Sequence, residues 1–140
     1  MVKNEQKILF TTGKRREAVA RAKTYAGSGR ILVNSVPIEI WASEPLRLWI
    51  MEPVIMTGDA FKTINIEVNM RGGGVVGQAE AARMAVARGI VGFTKNKGLK
   101  EKFMKYDRNL MVYDPRRNEP HHAGGASRRG SRRHKQRSKR

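Results

Sequence analysis

Hydrophobic and polar residues alternate most regularly in residues 61–70, and this pattern predicts a β-strand. Ile64, Ile66, Val68 and Met70 occupy every second position, with polar residues between them. Successive side chains of a strand point to opposite faces of the sheet, so one face of this segment packs and the other contacts water.

The first third of the chain predicts three further strands. Residues 8–12 form an apolar and β-branched run that ends at Gly13, and Lys14, Arg15 and Arg16 then form a basic turn. Residues 17–26 have good helix propensity, but their strict alternation favours a strand in a hairpin. The Gly27–Gly29 segment then turns the chain into a strand over residues 30–34.

Helical patterns dominate the rest of the body. Pro37 opens a helical turn over residues 38–41, and Ser43 caps a helix over residues 44–51 that Pro53 ends. The Gly72–Gly74 triplet leads into a long helix over residues 75–91. A second, basic helix follows at residues 97–106, and residues 110–113 form a last apolar run. The buried positions predicted for the two later helices are Val75, Ala79, Ala82, Val86 and Ile90, followed by Leu99, Phe103 and Tyr106.

These elements indicate an α+β fold in which helices cover a sheet, within a body that spans residues 1–114. The remaining residues, 115–140, have ten Lys or Arg, one acidic residue and no large apolar residue. Such a segment buries too little apolar area to fold alone. We interpret it as an extended basic arm that becomes ordered along phosphates, the alternative being a solvated basic tail.

The overall charge favours a nucleic-acid partner over an anionic membrane surface. The chain has 140 residues, a formal net charge of +17 and no Cys. The absence of Cys excludes disulfides and thiolate metal sites. No apolar run is long enough for a signal peptide or a membrane span, so we expect a soluble cytoplasmic protein.

No pattern of residues indicates catalysis or a cofactor. The glycine triplet lacks the Lys and Ser or Thr of a phosphate-binding P-loop, and a structural turn explains it better. His121, His122 and His134 lie in the arm without the four fixed ligands that structural zinc requires. We therefore expect no enzyme activity, no bound metal and no small-molecule substrate.

Cations beside glycines, and the triplet's own amides, are suited to RNA phosphates. The predicted RNA-binding residues of the body are Lys14, Arg15, Arg16, Arg21, Arg30, Arg71, Gly72, Gly73, Gly74 and Arg83. Those of the arm are Arg116, Arg117, Arg128, Arg129, Arg132, Arg133, Lys135 and Arg137. Further cations on the two later helices, Arg88, Lys97, Lys100, Lys102 and Lys105, complete the basic surface.

Several motifs together resemble the S-nine family of small-ribosomal-subunit proteins, in the form found in archaea and eukaryotes. The central match is GGGVVGQAEAARMAVARGI at residues 72–90. TGKRREAVARAKTYAGSGRILVN at residues 12–34 resembles the opening hairpin of the family. DPRRNE at residues 114–119 and SKR at residues 138–140 resemble the start and the end of its tail.

The resemblance implies a structural component of the small-subunit head that binds ribosomal RNA beside neighbouring head proteins. It implies a four-stranded sheet backed by helices, with a left-handed β-α-β crossover. It also implies that the end of the arm reaches the anticodon stem-loop of the P-site tRNA, a role that falls on Ser138, Lys139 and Arg140. Two features depart from many members, namely Arg137 in place of an aromatic residue and the pair His121-His122.

Three other functions compete with this interpretation. A free-standing or chromatin-like protein would bind duplex DNA as well as RNA. A phosphotransfer enzyme would use the glycine triplet and bind a nucleotide. A membrane-surface protein would require a basic amphipathic helix with aromatic anchors, which the sequence lacks.

Overall fold

The structure, a computed structural model, describes residues 7–118 and contains one mixed β-sheet with helices packed on one of its faces. The strands are Leu9–Arg15 (β1), Ala18–Ala26 (β2), Ile31–Val33 (β3), Val36–Pro37 (β4) and Ile64–Arg71 (β5). The α-helices are Glu44–Thr57 (α1), Val75–Thr94 (α2) and Lys97–Tyr106 (α3). Short 3-10 helices lie at Ile38–Ile40, Gly58–Thr63 and Arg108–Leu110. The predicted α+β class is confirmed.

Strands β1 and β2 form the predicted hairpin, with Arg15 opposite Ala18. The connecting turn is Arg16–Glu17, and Arg16 has a left-handed φ of 51°. The prediction of a basic turn over residues 14–16 was therefore wrong for Lys14 and Arg15, which lie in β1. Alternate side chains of β2 are small and buried, which lets a helix lie close to the hairpin.

The sheet order is β1-β2-β5-β3-β4, so β5 separates β2 from β3. All neighbouring strands are antiparallel except β3 and β5, which are parallel. Helix α1 lies in the connection between these two strands, so the chain contains a β-α-β unit, as predicted. The left-handedness of this crossover stays a prediction.

The sheet has five strands, so the predicted number of four was wrong. The additional strand is β4, which pairs Val36 with Val33 across the two-residue turn Asn34–Ser35. Both turn residues have left-handed φ angles, 49° and 67°, which suit a tight hairpin. The amide oxygen of Asn34 accepts a hydrogen bond from the Met70 backbone N–H at 2.8 Å and ties this turn to β5.

Helix α1 is longer than predicted, because Pro53 lies inside the helix and does not end it. The proline ring is buried, as are Ile50 and Val54 beside it. A proline in a helix removes one backbone hydrogen bond, and burial of this apolar face offsets that loss. The helix ends instead at Gly58, whose φ is 66°.

Helix α2 crosses β1, β2 and β5 at very close range. A methyl group added at Gly13 would overlap the carbonyl oxygen of Ala81. The predicted buried positions Ala79, Ala82, Val86 and Ile90 are confirmed. Val75 was predicted to be buried but is 52% exposed, because it is the first residue of the helix.

Helix α3 has the predicted bounds and is capped by the side chain of Asn96, which accepts a hydrogen bond from the Leu99 N–H. Phe103 is buried in a second, small core with Ala87 and Leu110, and Leu99 packs partly against it. Tyr106 was predicted to face inwards but is 59% exposed, since it is the last residue of the helix.

The remaining boundaries differ from the predicted ones by a few residues. Residues 61–63 belong to a 3-10 helix, so β5 begins at Ile64 and extends through Arg71. Helix α2 continues to Thr94, and β3 is limited to three residues. None of the described helices is long and apolar enough to cross a membrane.

Candidate nucleic-acid interface

The sheet face opposite the helices, which we call the open sheet face, is polar and basic. Alternation along β2 and β5 buries one set of side chains beneath the helices and leaves the intervening set on this face. The registers place Arg21 between Thr12 and Asn69, and Arg71 beside Val19. The set consists of Phe10, Thr12, Lys14, Val19, Arg21, Lys23, Tyr25, Asn65, Glu67, Asn69 and Arg71.

Three groups near the middle of this face form a local cluster. The Tyr25 hydroxyl donates a hydrogen bond to Glu67 at 2.7 Å. Lys23 Nζ lies 3.5 Å from the other Glu67 oxygen and 5.2 Å from the centroid of the Tyr25 ring. The hydrogen bond to Glu67, more than burial, raises the pKa of Tyr25, so its hydroxyl stays protonated. Because the Glu67 carboxylate lies beside Lys23, it offsets the positive charge of that lysine.

The other cations of the open sheet face remain available to a ligand. Within residues 7–118, Lys14, Arg21 and Arg71 form no ion pair with a carboxylate. Arg21 and Arg71 line a groove of about 450 Å³ together with Asn69, Gly72 and one carboxylate residue, Glu17, so the lining keeps a net positive charge. A groove with two free guanidinium groups and an amide is suited to phosphate oxygens.

The glycine triplet connects β5 to α2 and packs against the β1–β2 turn. Gly72 and Gly73 have left-handed φ angles of 76° and 65°. A methyl group at Gly72 would lie 2.6 Å from the carbonyl oxygen of Glu17. The triplet is therefore required by the backbone path and by this contact, and no nucleotide is needed to explain it.

The start of α2 presents unsatisfied backbone amides. No side chain caps the helix and its first turn has no acidic residue. A cavity of about 530 Å³ opens there, and its lining includes two arginines, Arg15 and Arg16, and two carboxylate residues, Glu17 and Glu80. The backbone amides at the helix N-terminus attract an anion, because this end of a helix carries a partial positive charge, whereas the charged side chains of the cavity balance one another.

Three of the predicted RNA-binding residues, Arg15, Arg83 and Arg116, are held by carboxylates of the body. Arg15 pairs with Glu80 at 2.5 Å and with Asp114. Arg83 pairs with Asp107 at 2.6 Å and with Glu52, whose contacting oxygen has no aligned hydrogen-bond partner in the described part of the chain. Their guanidinium groups stabilise the fold, and their contact with RNA stays a prediction.

The carboxylate of Asp114 also receives hydrogen bonds from Arg116, through the backbone N–H at 3.0 Å and the guanidinium at 2.6 Å. These bonds, together with that from Arg15, hold the pKa of Asp114 well below its usual range. The carboxylate therefore remains charged and fixes the point at which the chain leaves the body.

The other predicted cations are spread over the molecule. Arg30 is exposed at the far end of β5 from the glycine triplet, and Arg117 is exposed beyond Asp114. Arg88 donates hydrogen bonds to the carbonyl oxygens of Thr12 and Met111, so it ties elements together. The predicted arm residues Arg128, Arg129, Arg132, Arg133, Lys135, Arg137, Ser138, Lys139 and Arg140 lie outside the described residues, as do His121, His122 and His134.

Sequence reasoning did not assign a binding role to Lys23, Tyr25, Asn69 or the 72% exposed Phe10. The signal was present, because the alternation in residues 17–26 places Lys23 and Tyr25 on the same side as Arg21. The described residues contain no cluster of His, Cys, Asp or Glu that could hold a metal ion.

Comparisons with known proteins agree with the resemblance seen in the motifs. A family model described as Ribosomal protein S9/S16 matches residues 13–140. The chain is 46% identical over 115 residues to "Small ribosomal subunit protein uS9" of Methanococcus maripaludis, covering 82% of this chain and 86% of that relative. It is 43% identical over 132 residues to the protein of the same name from Methanococcus vannielii, covering 94% of this chain and 98% of that relative.

Proposed function

The chain belongs to the ribosomal protein S9/S16 family, and we propose that it binds small-subunit ribosomal RNA through its open sheet face. Membership of this family makes the chain a structural constituent of the small ribosomal subunit. The observation that carries the docking proposal is the groove beside Gly72, where Arg21 and Arg71 form no ion pair within residues 7–118 and outnumber the one carboxylate residue of the lining, Glu17. Proteins of this kind position RNA and perform no chemistry, so a non-enzymatic role is part of the proposal.

The proposed contacts are to the RNA backbone. Arg21 and Arg71 can each place two parallel donors on a phosphate, and the backbone N–H groups at the start of α2 can donate to a neighbouring phosphate. Phe10, exposed at the edge of the same face, supplies an apolar surface for an unstacked base or a sugar. Backbone contacts fix orientation and register and do not read sequence.

The binding test uses the full chain and naked small-subunit ribosomal RNA over a range of salt concentrations. Each phosphate contact contributes about one unit to the slope of log affinity against log salt, so the double variant Arg21→Gln/Arg71→Gln should lower that slope by about two. The matched control Lys95→Gln/Arg108→Gln removes the same charge from two exposed positions outside the predicted basic surface. Equal losses in both variants would indicate non-specific attraction and contradict docking through the sheet.

We further propose that the arm runs through ribosomal RNA and that its end supports the P-site tRNA. Support comes from the resemblance of residues 138–140 to the end of the family's tail and from the ten cations of residues 115–140. Arg140 can place two donors on one phosphate of the anticodon stem-loop, which Lys139 cannot. The arm gains order by neutralising phosphates along its path.

Deletion of Lys139 and Arg140 tests the role of the arm separately from that of the body. Subunits should assemble with the shortened chain in full amount, whereas tRNA should dissociate faster from the P site. The matched control is the Lys95→Gln/Arg108→Gln variant, which loses the same charge far from residues 138–140 in the sequence. If both kinds of ribosome retain tRNA equally, the proposed role of the arm's end is wrong.

A further inference from the structure

Charge is distributed very unevenly along this chain. Residues 31–61 contain the four acidic residues Glu39, Glu44, Glu52 and Asp59 but only one cation, Arg47. Their net charge is −3 in a chain whose net charge is +17. This segment builds β3, β4, α1 and the turns around them, and cations from outside it pair with two of its carboxylates, Arg83 with Glu52 and Lys62 with Asp59. Among the described residues, the negative charge that is left without an ion pair lies at Glu39 and Glu44.

The same part of the surface exposes large apolar side chains. Leu48 and Ile55 are 52% and 68% exposed, and a spacing of seven residues puts them on the same side of α1. Ile40, in the 3-10 helix before α1, is 74% exposed, and Trp49 is 41% exposed. We call these four residues the α1 outer face.

A hydrogen bond holds this surface together, and two of the four carboxylates of the segment are free of ion pairs with the described residues. The guanidinium of Arg47 donates to the carbonyl oxygen of Glu39, which ties the 3-10 helix containing Ile40 to α1. In residues 7–118, Glu39 and Glu44 form no ion pair, whereas Glu52 pairs with Arg83. Glu44 lies one helical turn before Leu48, so a free carboxylate adjoins the apolar residues.

We propose that the α1 outer face docks a basic protein segment with apolar anchors, carried by a neighbouring protein of the small subunit. This inference rests on the proposed ribosomal function and goes beyond it by assigning a surface and the chemistry of its partner. Exposed Leu, Ile and Trp side chains supply the buried centre of such an interface. Free carboxylates at Glu39 and Glu44 select a partner rich in Lys and Arg.

The free carboxylates beside the α1 outer face disfavour two other partners, namely ribosomal RNA and a second copy of this chain. Ribosomal RNA would bring phosphates against Glu39 and Glu44, while the only cation of the segment is already engaged by a carbonyl oxygen. A symmetric pair of chains would bring the same carboxylates of two copies together, because a two-fold interface uses the same patch on both partners. A basic protein segment satisfies the apolar and the acidic groups at once.

The test places a photoreactive amino acid at Leu48 of the full chain in small subunits purified from its own cells. Irradiation should link Leu48 to a ribosomal protein through a peptide rich in Lys or Arg, identified by mass spectrometry. A link to ribosomal RNA, a link to a second copy of this chain, or no link would each overturn the proposal. The same probe at Tyr25, on the open sheet face, should link to ribosomal RNA.

Charge reversal at Glu44 separates a basic protein from RNA by the sign of the effect. Glu44→Lys should lower the yield of the Leu48 link by about tenfold, because it places a cation against a basic partner. An unchanged or higher yield would overturn the proposal, since an RNA partner gains from the added charge. Both residues are exposed, so circular dichroism and subunit association should remain as in the unmodified chain.

The two probes distinguish failure of this inference from failure of the proposed function. If the Tyr25 probe links to RNA and the Leu48 probe does not link to a basic protein, only the docking surface is wrong. If the chain is absent from small subunits and Tyr25 links to no RNA, the proposed function fails, and the docking surface fails with it.

Discussion

The guanidinium of Arg15 pairs with the carboxylate of Asp114, 99 residues further along the chain. Arg15 is the last residue of β1 and also pairs with Glu80 of α2 at 2.5 Å. Asp114 in turn holds Arg116, the first cation of the predicted arm. One arginine therefore joins the hairpin, the main helix and the segment that leaves the body.

Replacing Asp114 with Asn should remove a contribution to stability that depends on pH. The pKa of Asp114 is lowered by its bonds with Arg116 and Arg15, so its charged form stabilises the fold at every pH above its ordinary value of 3.8. That contribution is lost as the pH falls below 3.8 towards the lowered pKa of the folded state. Thermal unfolding of the full chain should give a Tm a few degrees lower for Asp114→Asn near neutral pH. The difference should shrink below pH 3.8, and a difference that grows on acidification would contradict this account.

Replacing Thr24 with Val should leave stability unchanged or raise it by about 1 kcal/mol. The Thr24 hydroxyl is fully buried beneath α2 and has no hydrogen-bond partner among the described residues. Removing it therefore relieves an uncompensated desolvation cost. Chemical denaturation of the full chain measures the change.

Thr11 provides the matched control, because it faces the same helix from the neighbouring strand. Its hydroxyl donates a hydrogen bond to the carbonyl oxygen of Ala85 at 2.9 Å. Thr11→Val should therefore lower the free energy of unfolding by about 1 kcal/mol. Equal losses for the Thr24 and Thr11 variants would show that Thr24 has a partner after all.

Replacing Gly13 with Ala should destabilise the protein by about 3 kcal/mol or more, because the added methyl group has no space. It would overlap the carbonyl oxygen of Ala81, and backbone of a helix cannot move aside as a side chain can. Gly98→Ala is the control, at an exposed position of α3 where a methyl group would lie 3.4 Å from Asn96. The control should stabilise the protein by about 0.5–1 kcal/mol, as Ala does in a helix. A Gly13 variant as stable as the parent would show that α2 can move away from β1.

Replacing Arg83 with Lys tests whether this residue acts in the fold. Lysine keeps the charge but cannot bridge Glu52 and Asp107 with one planar group, so we expect a loss of about 1–2 kcal/mol. Arg71→Lys, at a cation without a carboxylate partner, should change the free energy of unfolding by less than about 0.5 kcal/mol. Chemical denaturation of both variants under the same conditions measures the two changes in the free energy of unfolding. Equal stabilities would contradict the structural role of Arg83.

Elements with a long, regular pattern were predictable from the sequence. The hairpin, β5, α2 and α3 were identified correctly because their periodicity extends over seven or more residues, although only α3 has the predicted bounds at both ends. The exceptions are Val75 and Tyr106, which lie at the ends of their helices. The periodic pattern puts both on the side of the helix that faces the core, but the elements that would cover them do not extend that far. The periodic pattern shows which side of a helix faces the core, but it does not show how far along the helix the neighbouring elements cover that side.

Features that depend on tertiary contacts were not predictable. β4 has two residues and exists because Asn34 and Ser35 adopt left-handed backbone conformations that β5 supports. Pro53 continues a helix because its ring is buried, although its sequence signal is that of a helix end. The insertion of β5 between β2 and β3 likewise depends on pairs of residues that lie 35 to 52 positions apart in the sequence.

The candidate nucleic-acid interface was likewise only partly predictable from the sequence. That Arg21 and Arg71 are surface cations follows from their residue type and position in the strand pattern. That Arg15 and Arg83 are engaged by carboxylates does not, because their partners lie on other elements. Sequence reasoning assigned all four to RNA, and only the structure separates free guanidinium groups from engaged ones.

The close contact between the hairpin and α2 has a consequence for motion. Its central residues, such as Gly13, Ala20 and Ala22 opposite Ala81 and Ala85, have no side-chain torsions. Ordering them costs no rotamer entropy, so this contact forms at low cost and in a single arrangement. Because these residues have no alternative side-chain rotamers, the contact also cannot repack when one of its partners is displaced. A displacement of the glycine triplet by bound RNA should therefore move hairpin and helix together as one rigid body.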